Sequence, residues 1–157
     1  MVSLRFFQPE DLSELSYSLD EVQDKNTSLA AKALERIRHR NTGEEFPVTA
    51  LYDGMPAGFL SLDFGEDKYD LTENLKAVLF RSFSVNPSLQ GKGIGTSIML
   101  ELDRFIKNYF KDCNEIVLAV NQQNHSAYQL YLRTGYSYEG KSRIGRNGPQ
   151  DVLSKKV

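Results

Sequence analysis

The chain has 157 residues, 40% hydrophobic and 25% charged, the size and make-up of a single globular domain. A net charge of −2 leaves no overall basic field to gather nucleic acid, and the one cysteine, Cys113, excludes an internal disulfide and suits a reducing compartment. No run approaches the roughly 20 apolar residues of a membrane helix, and the N-terminus lacks a signal peptide's apolar core, so a soluble cytoplasmic protein with no membrane partner is expected.

Residues 3–8, SLRFFQ, read as a first strand. Pro9 ends it and suits a first helical turn, with Glu10 and Asp11 at the positive helix end and Leu12, Leu15 and Leu19 along one side. A second helix is expected from about Asn26 or Thr27, with Ala30, Ala33, Leu34 and Ile37 on one face. Lys32, Arg36, His39 and Arg40 fall largely elsewhere and read as a solvated basic face rather than a phosphate patch. Residues 46–65 form two β-rich runs about Asp53-Gly54, a hairpin signal. An acidic, polar stretch follows over 66–73, then a long strand over 76–85 that Asn86-Pro87 breaks.

Residues 90–97, QGKGIGTS, open the next element. Ile94, Ile98, Leu102, Phe105 and Tyr109 recur at helical spacing, so a helix runs to about Phe110. EIVLAV, 115–120, is continuously apolar, as a strand buried on both faces is. Asn124 reads as an N-cap, Ala127, Leu130 and Tyr131 share a helical face, and Gly135 stops that helix. Two closing strands meet across Arg146, Asn147 and Gly148. The strand–helix–strand unit at the centre implies a right-handed crossover between parallel strands. Neither repeats nor a linker divide the chain, so one domain over residues 1–157 is expected.

The glycine turn is where the chemistry starts. The first N–H groups of a helix have no partner within it, the helix dipole favours an anion there, and glycine lets a phosphate approach bare backbone. Two well-known phosphate loops do not fit. Gly95 is followed by Thr96 rather than Lys, and Thr96 takes the place of the third glycine of the dinucleotide fingerprint. The spacing that fits is Q-x-x-G-x-G, on Gln90, Gly93 and Gly95.

That loop resembles the coenzyme A pyrophosphate loop of the GNAT superfamily, the acyl-CoA-dependent N-acyltransferases. The preceding LFRSFSVNP resembles the family's fourth strand, and NHSAYQLYLRTGY, 124–136, resembles its N-x-x-A-x-x-L-Y-x-x-x-G-[FY] segment. The opening LRFFQPEDL and closing DVLSKKV resemble its first and last strands, so the likeness spans essentially the whole chain. It implies an α/β (α+β) fold: a mixed, mostly antiparallel sheet of about six to seven strands with a central parallel β-α-β splay, flanked by about four helices.

The resemblance also implies roles and a co-substrate, acetyl-CoA. Gln90, Gly91, Lys92, Gly93, Ile94, Gly95 and Thr96 would cradle its pyrophosphate. Phe83, Ser84 and Val85 would hold the pantetheine arm through their backbone, with an N–H near Val85 polarising the thioester carbonyl. Asn124, and Ala127 beside it, would also contact the cofactor. An amine would attack the thioester directly, and Tyr131, on the family's acid position, would protonate the leaving thiolate; by spacing alone Tyr131 reads rather as a packing residue on one helical face. A general base is missing from the fourth strand, whose only charge after Lys76 is Arg81. Asp63, Glu66, Asp67, Asp70 and Glu73 are the nearby candidates, and together they hint at a cationic amine or polyamine.

His39, His125 and Cys113 belong to no metal-ligand pattern, so no metal is expected, and Cys113 is poorly placed for an acyl-cysteine intermediate. The acceptor is expected to be a small-molecule amine or a peptide or protein amine, with the protein a monomer or homodimer. A non-catalytic CoA-binding or regulatory module is the alternative, resting on the missing strand carboxylate. A nucleic-acid-binding domain resting on Arg36–Arg40 is disfavoured by net charge.

Overall fold

The computed structural model describes residues 1–20, 27 and 29–157. Seven strands form one sheet: β1 (Val2–Phe6), β2 (Glu45–Tyr52), β3 (Met55–Asp63), β4 (Ala77–Val85), β5 (Glu115–Asn121), β6 (Ser137–Gly145) and β7 (Gly148–Lys156), in the spatial order β1-β2-β3-β4-β5-β7-β6. All neighbours are antiparallel except β4 and β5. Three α-helices occur among the described residues: α1 (Ala30–Arg40), α2 (Ile94–Tyr109) and α3 (His125–Arg133). This is the mixed sheet with one parallel crossover that the sequence implies.

The sheet is covered on both faces, and the strand pattern shows it. On β3, Leu60 and Leu62 join α2 in the main core, while Phe59 packs with Leu15, Ala30 and Ala33 on the opposite face. On β5, Ile116, Leu118 and Val120 enter the main core and Val117 packs with Leu71, Leu79 and Val152 behind it. A period of two with both faces buried is why 115–120 carries no polar alternation. The β2–β3 turn has the predicted form, with Asp53 and Gly54 both left-handed (φ 49° and 84°) as a two-residue type I′ hairpin requires.

Two expected helices differ. The first is a single 3-10 turn, Pro9–Leu12, because Asp11 is drawn back against β1 and β2: it accepts from Arg5 (2.7 and 2.8 Å), Thr49 (2.8 Å) and the Gln8 N–H (2.9 Å). Leu15 is still fully buried beneath it. The second starts at Ala30, with Thr27 outside it; the alternative start at Asn26 lies outside the described residues.

β4 and β5 pair only over Ala77–Leu79 and Glu115–Val117. Beyond Leu79 they part. A bulge accompanies the parting: the β3–β4 register shifts between Phe59 and Ser61, opposite Ser82, whose φ is 58°. An extra residue bends and twists the bulged strand, and here it turns the last residues of β4 away from β5.

Candidate active site

The parting strands open a cleft of about 1200 Å³ lined by Phe80, Phe83 and Leu118 and by residues of the glycine turn and the β6–β7 hairpin. Every site residue expected from sequence lines it except Lys92. The Lys92 ammonium sits 5.9 Å from the Tyr52 ring centroid, over β2.

The glycine turn closes one end. Pro87–Leu89 forms a 3-10 turn capped by Asn86, whose side chain accepts from the Ser88 N–H at 3.0 Å. Gly91 and Gly93 then take left-handed conformations (φ 82° and 71°) with open space where a Cβ would be, so glycine is required there by the dihedral. Gly93 is also the N-cap of α2 and has no side chain to satisfy the first turn. The early N–H groups of a 16-residue helix are thus left uncapped where the helix meets the cleft. Gly95 lies inside the helix, where an added Cβ would meet Leu130 of α3 at 3.4 Å. Arg133 donates to Thr96 at 3.3 Å and brings a cation to this end that the sequence pattern did not single out.

The β4 wall offers free backbone. The Asn86 N–H donates to the Ala57 carbonyl at 2.8 Å, so that pair is hydrogen-bonded. The next antiparallel pair, Gly58 with Val85, is therefore of the kind that turns its N–H and C=O outward, and those of Val85 face the gap left by β5. Ser84 is different: its backbone belongs to the ladder with Phe59, and its hydroxyl is 2.7 Å from the Tyr17 hydroxyl. Burial pushes the Tyr17 phenol up to about 12.

α3 forms the facing wall. Asn124 caps it by accepting from the Ala127 N–H at 3.4 Å, as its sequence position predicts. Tyr131 is buried, with its ring edge-on to Phe80 at 6.1 Å and 5.9 Å from Tyr136. Burial raises its phenol pKa, which keeps the hydroxyl protonated at neutral pH. Tyr128, on the same helix, donates to Asp151 at 2.6 Å and is occupied in fastening α3 to β7.

Two of the base candidates, Asp63 and Asp67, do not stand as open carboxylates. Asp63 accepts from Arg81 at 3.1 Å and from the Gly65 N–H at 2.8 Å. Asp67 accepts from Arg81 at 2.8 Å and lies 2.7 Å from Arg40. Burial opposes the Asp67 charge, but hydrogen bonds from Arg81 and Arg40 outweigh it and hold the carboxyl below its ordinary range. Asp70 is 3.7 Å from Arg143, and Glu66 and Glu73 are exposed.

These pairs also correct the reading of α1 as a solvated basic face. Arg36 and Arg40 point back to the sheet, Arg40 to Asp67 and Arg36 to both oxygens of the buried Glu45 as well as to Ser82. Burial pushes the Glu45 carboxyl up, but the bonds from Arg36 and Ser61 prevail and leave it lowered. Glu45 and Ser82 escape sequence reasoning because neither partner lies at a local spacing. Cys113 does not line the cleft; its thiol lies 3.5 Å from the Glu115 carbonyl and burial raises its pKa. Among the described residues, no three His, Cys, Asp or Glu side chains gather as a metal site.

Comparison with known proteins agrees with this architecture. The model of the acetyltransferase (GNAT) family matches residues 10–136. An uncharacterized N-acetyltransferase of Bacillus subtilis, YbbJ, is 36% identical over 97% of this chain and 95% of its own. A spermine/spermidine N(1)-acetyltransferase of the same organism is 28% identical over 60% of this chain and 61% of its own. Among solved structures, aminoglycoside acetyltransferase AAC(6')-Ib in complex with coenzyme A shares the fold at a TM-score of 0.79, with 19% identity over 99% of this chain and 95% of that one. A Vibrio cholerae spermidine N-acetyltransferase chimera does so at 0.68, with 20% identity over 99% and 95%. A β-α-β splay, an uncapped helix end and a buried tyrosine on one cleft, with a family match across four-fifths of the chain, leave one conclusion: this protein belongs to the GNAT family of acetyltransferases.

Proposed function

We propose that the chain is a single-domain, acetyl-CoA-dependent N-acetyltransferase that transfers the acetyl group to a primary amine by direct attack on the thioester. The observation that carries this reading is the meeting, in one cleft, of the uncapped α2 N-terminus, the outward-facing Val85 backbone and the protonated Tyr131. The fit to coenzyme A is chemical. An anion of two phosphates suits bare helix N–H groups with Arg133 nearby, and an extended amide arm suits a strand edge that has lost its neighbour.

Acetyl-CoA is the acyl-donor substrate. Backbone N–H groups of residues 91–96 hold its pyrophosphate and the Val85 edge holds its arm, with Asn124 and Ala127 on the facing wall. The Val85 N–H is available to the carbonyl oxygen as the amine nitrogen bonds to the carbonyl carbon. As the carbon–sulfur bond breaks, Tyr131 gives its proton to the departing sulfur and regains one from solvent or from the adduct's cationic nitrogen, which sheds it in becoming the amide. Asp63 and Asp67 are engaged by arginines and Glu66 and Glu73 do not line the cleft, so the amine loses its proton to water or to the exposed Asp70 before attack.

Thiol release from acetyl-CoA across a panel of amines tests the reading. Release that depends on an amine is expected, with kcat falling on the order of 100-fold in Tyr131→Phe while the KM for acetyl-CoA is kept. Full activity in Tyr131→Phe removes the acid assignment. Acetyl-CoA binding without turnover over the whole panel favours a non-catalytic CoA-binding module.

A further inference from the structure

The charge pattern of the same cleft bears on the acceptor, and its meaning rests on the acetyl-transfer reading. Six basic side chains from α1, β4 and the β6–β7 hairpin line the part away from the glycine turn: Lys32, Arg36, Arg40, Arg81, Arg143 and Arg146. The acidic side chains lining it are Asp20, Asp67 and Asp70, with Asp63 and Glu45 buried behind the arginines.

Of the acidic residues that suggest a polycation by sequence, Asp63 and Asp67 are already answered within the fold, while Glu66 and Glu73 are exposed and do not line the cleft. Asp63 and Asp67 are shared between Arg40 and Arg81, and Glu45 is taken by Arg36. Arg143 reaches Asp70 only at 3.7 Å, on a carboxylate that is 74% exposed, and such a contact holds little. Lys32 and Arg146 are exposed and make no ion pair with the described residues. A polyamine would bring further ammonium groups beside guanidinium groups, whereas an anion would meet Lys32 and Arg146, which form no ion pair with the described residues, and Arg143, whose Nε donates to Gln150 at 2.9 Å and whose contact with Asp70 is weak.

We infer that the acceptor is a small amine that also bears a carboxylate, held by Lys32, Arg143 and Arg146 while its amine reaches the thioester. Among the described residues these six cations exceed Asp20, Asp67, Asp70, Asp63 and Glu45 by one, which matches a monoanion better than a doubly charged phosphate monoester, and guanidinium forks suit the two oxygens of a carboxylate.

The test compares amines that differ only at the far end. Initial rates are measured with acetyl-CoA and β-alanine, 4-aminobutyrate, 5-aminopentanoate or 6-aminohexanoate, each against the corresponding amide and diamine. At the best chain length the carboxylate is expected to exceed both in kcat/KM by about tenfold. The double variant Lys32→Glu/Arg146→Glu should abolish or invert that preference with the KM for acetyl-CoA unchanged; both side chains are exposed, so the fold tolerates the change. The inference is overturned if the amide or diamine equals the carboxylate at every length. It is also overturned if acetyl-CoA binds by calorimetry and no carboxylate is acetylated. If acetyl-CoA does not bind at all, the acetyl-transfer reading itself fails.

Discussion

Tyr131 shows how burial sets a residue's chemistry. A phenol titrates near 10 in water, and removing it from water raises that value because the charged form loses its solvation. As the acid it stays protonated through the alkaline range in which an acceptor amine becomes neutral. The wild-type kcat/KM is therefore expected to climb with pH as the amine deprotonates and to show no decline up to about pH 10. A falling limb centred well below that value and absent from Tyr131→Phe would show that the phenol titrates there, so that burial does not raise it. Glu45 shows the converse, a carboxylate kept charged in a buried site by its bonds to Arg36 and Ser61. Removing one partner of such a pair strands the other, so Glu45→Ala should lower stability by about 2–3 kcal/mol, less than for a fully buried pair because Arg36 keeps some exposure. Urea denaturation measures this, and a loss under about 1 kcal/mol would show that the pair contributes little.

At the scale of elements, α2 and the strand before it make the site, and glycine sets their junction. Gly43 and Gly93 have nearly equal left-handed φ (72° and 71°) and both have open space around a would-be Cβ. Gly43→Ala and Gly93→Ala should therefore each cost about 1–2 kcal/mol of stability. They should differ in function. The KM for acetyl-CoA is expected to rise by up to about tenfold in Gly93→Ala, as the turn relaxes to relieve strain, and to stay unchanged in Gly43→Ala. Equal effects of the two on KM would mean that the turn at α2 is structural only. The bulge at Ser82 is the other element-level device, because β4 must leave β5 to make room for a substrate arm.

At the scale of the whole molecule, both sheet faces share strands β3 to β5, so the two layers have no independent core and heat or urea should unfold the chain in one transition seen alike by fluorescence and circular dichroism. Asp11 ties the N-terminal turn to that unit. Its hydrogen bonds from Arg5 hold the carboxyl at about 2, against burial. An unfolded aspartate titrates near 4, so the stability this pair supplies is complete above about pH 4 and is lost as pH falls through about 2. Arg5 is partly exposed, so the contribution is on the order of 1–2 kcal/mol, and Asp11→Asn should remove it at pH 7 and flatten the acid limb of stability. An unchanged acid limb in Asp11→Asn would assign the acid sensitivity to other carboxylates. The sequence alone determined the strand order in the chain, the two-residue hairpin at Asp53-Gly54, the double-sided burial of 115–120, the Asn124 cap and the glycine turn, because each depends on residues close together in the chain or on a period of two or 3.6. Only the tertiary structure decided that Lys92 turns to Tyr52, that Pro9–Leu12 stays a single turn, and that Asp63, Asp67 and Glu45 are answered by arginines. Those outcomes depend on partners brought together from distant strands and helices, and a carboxylate's availability is a property of what it faces, which spacing along the chain does not carry.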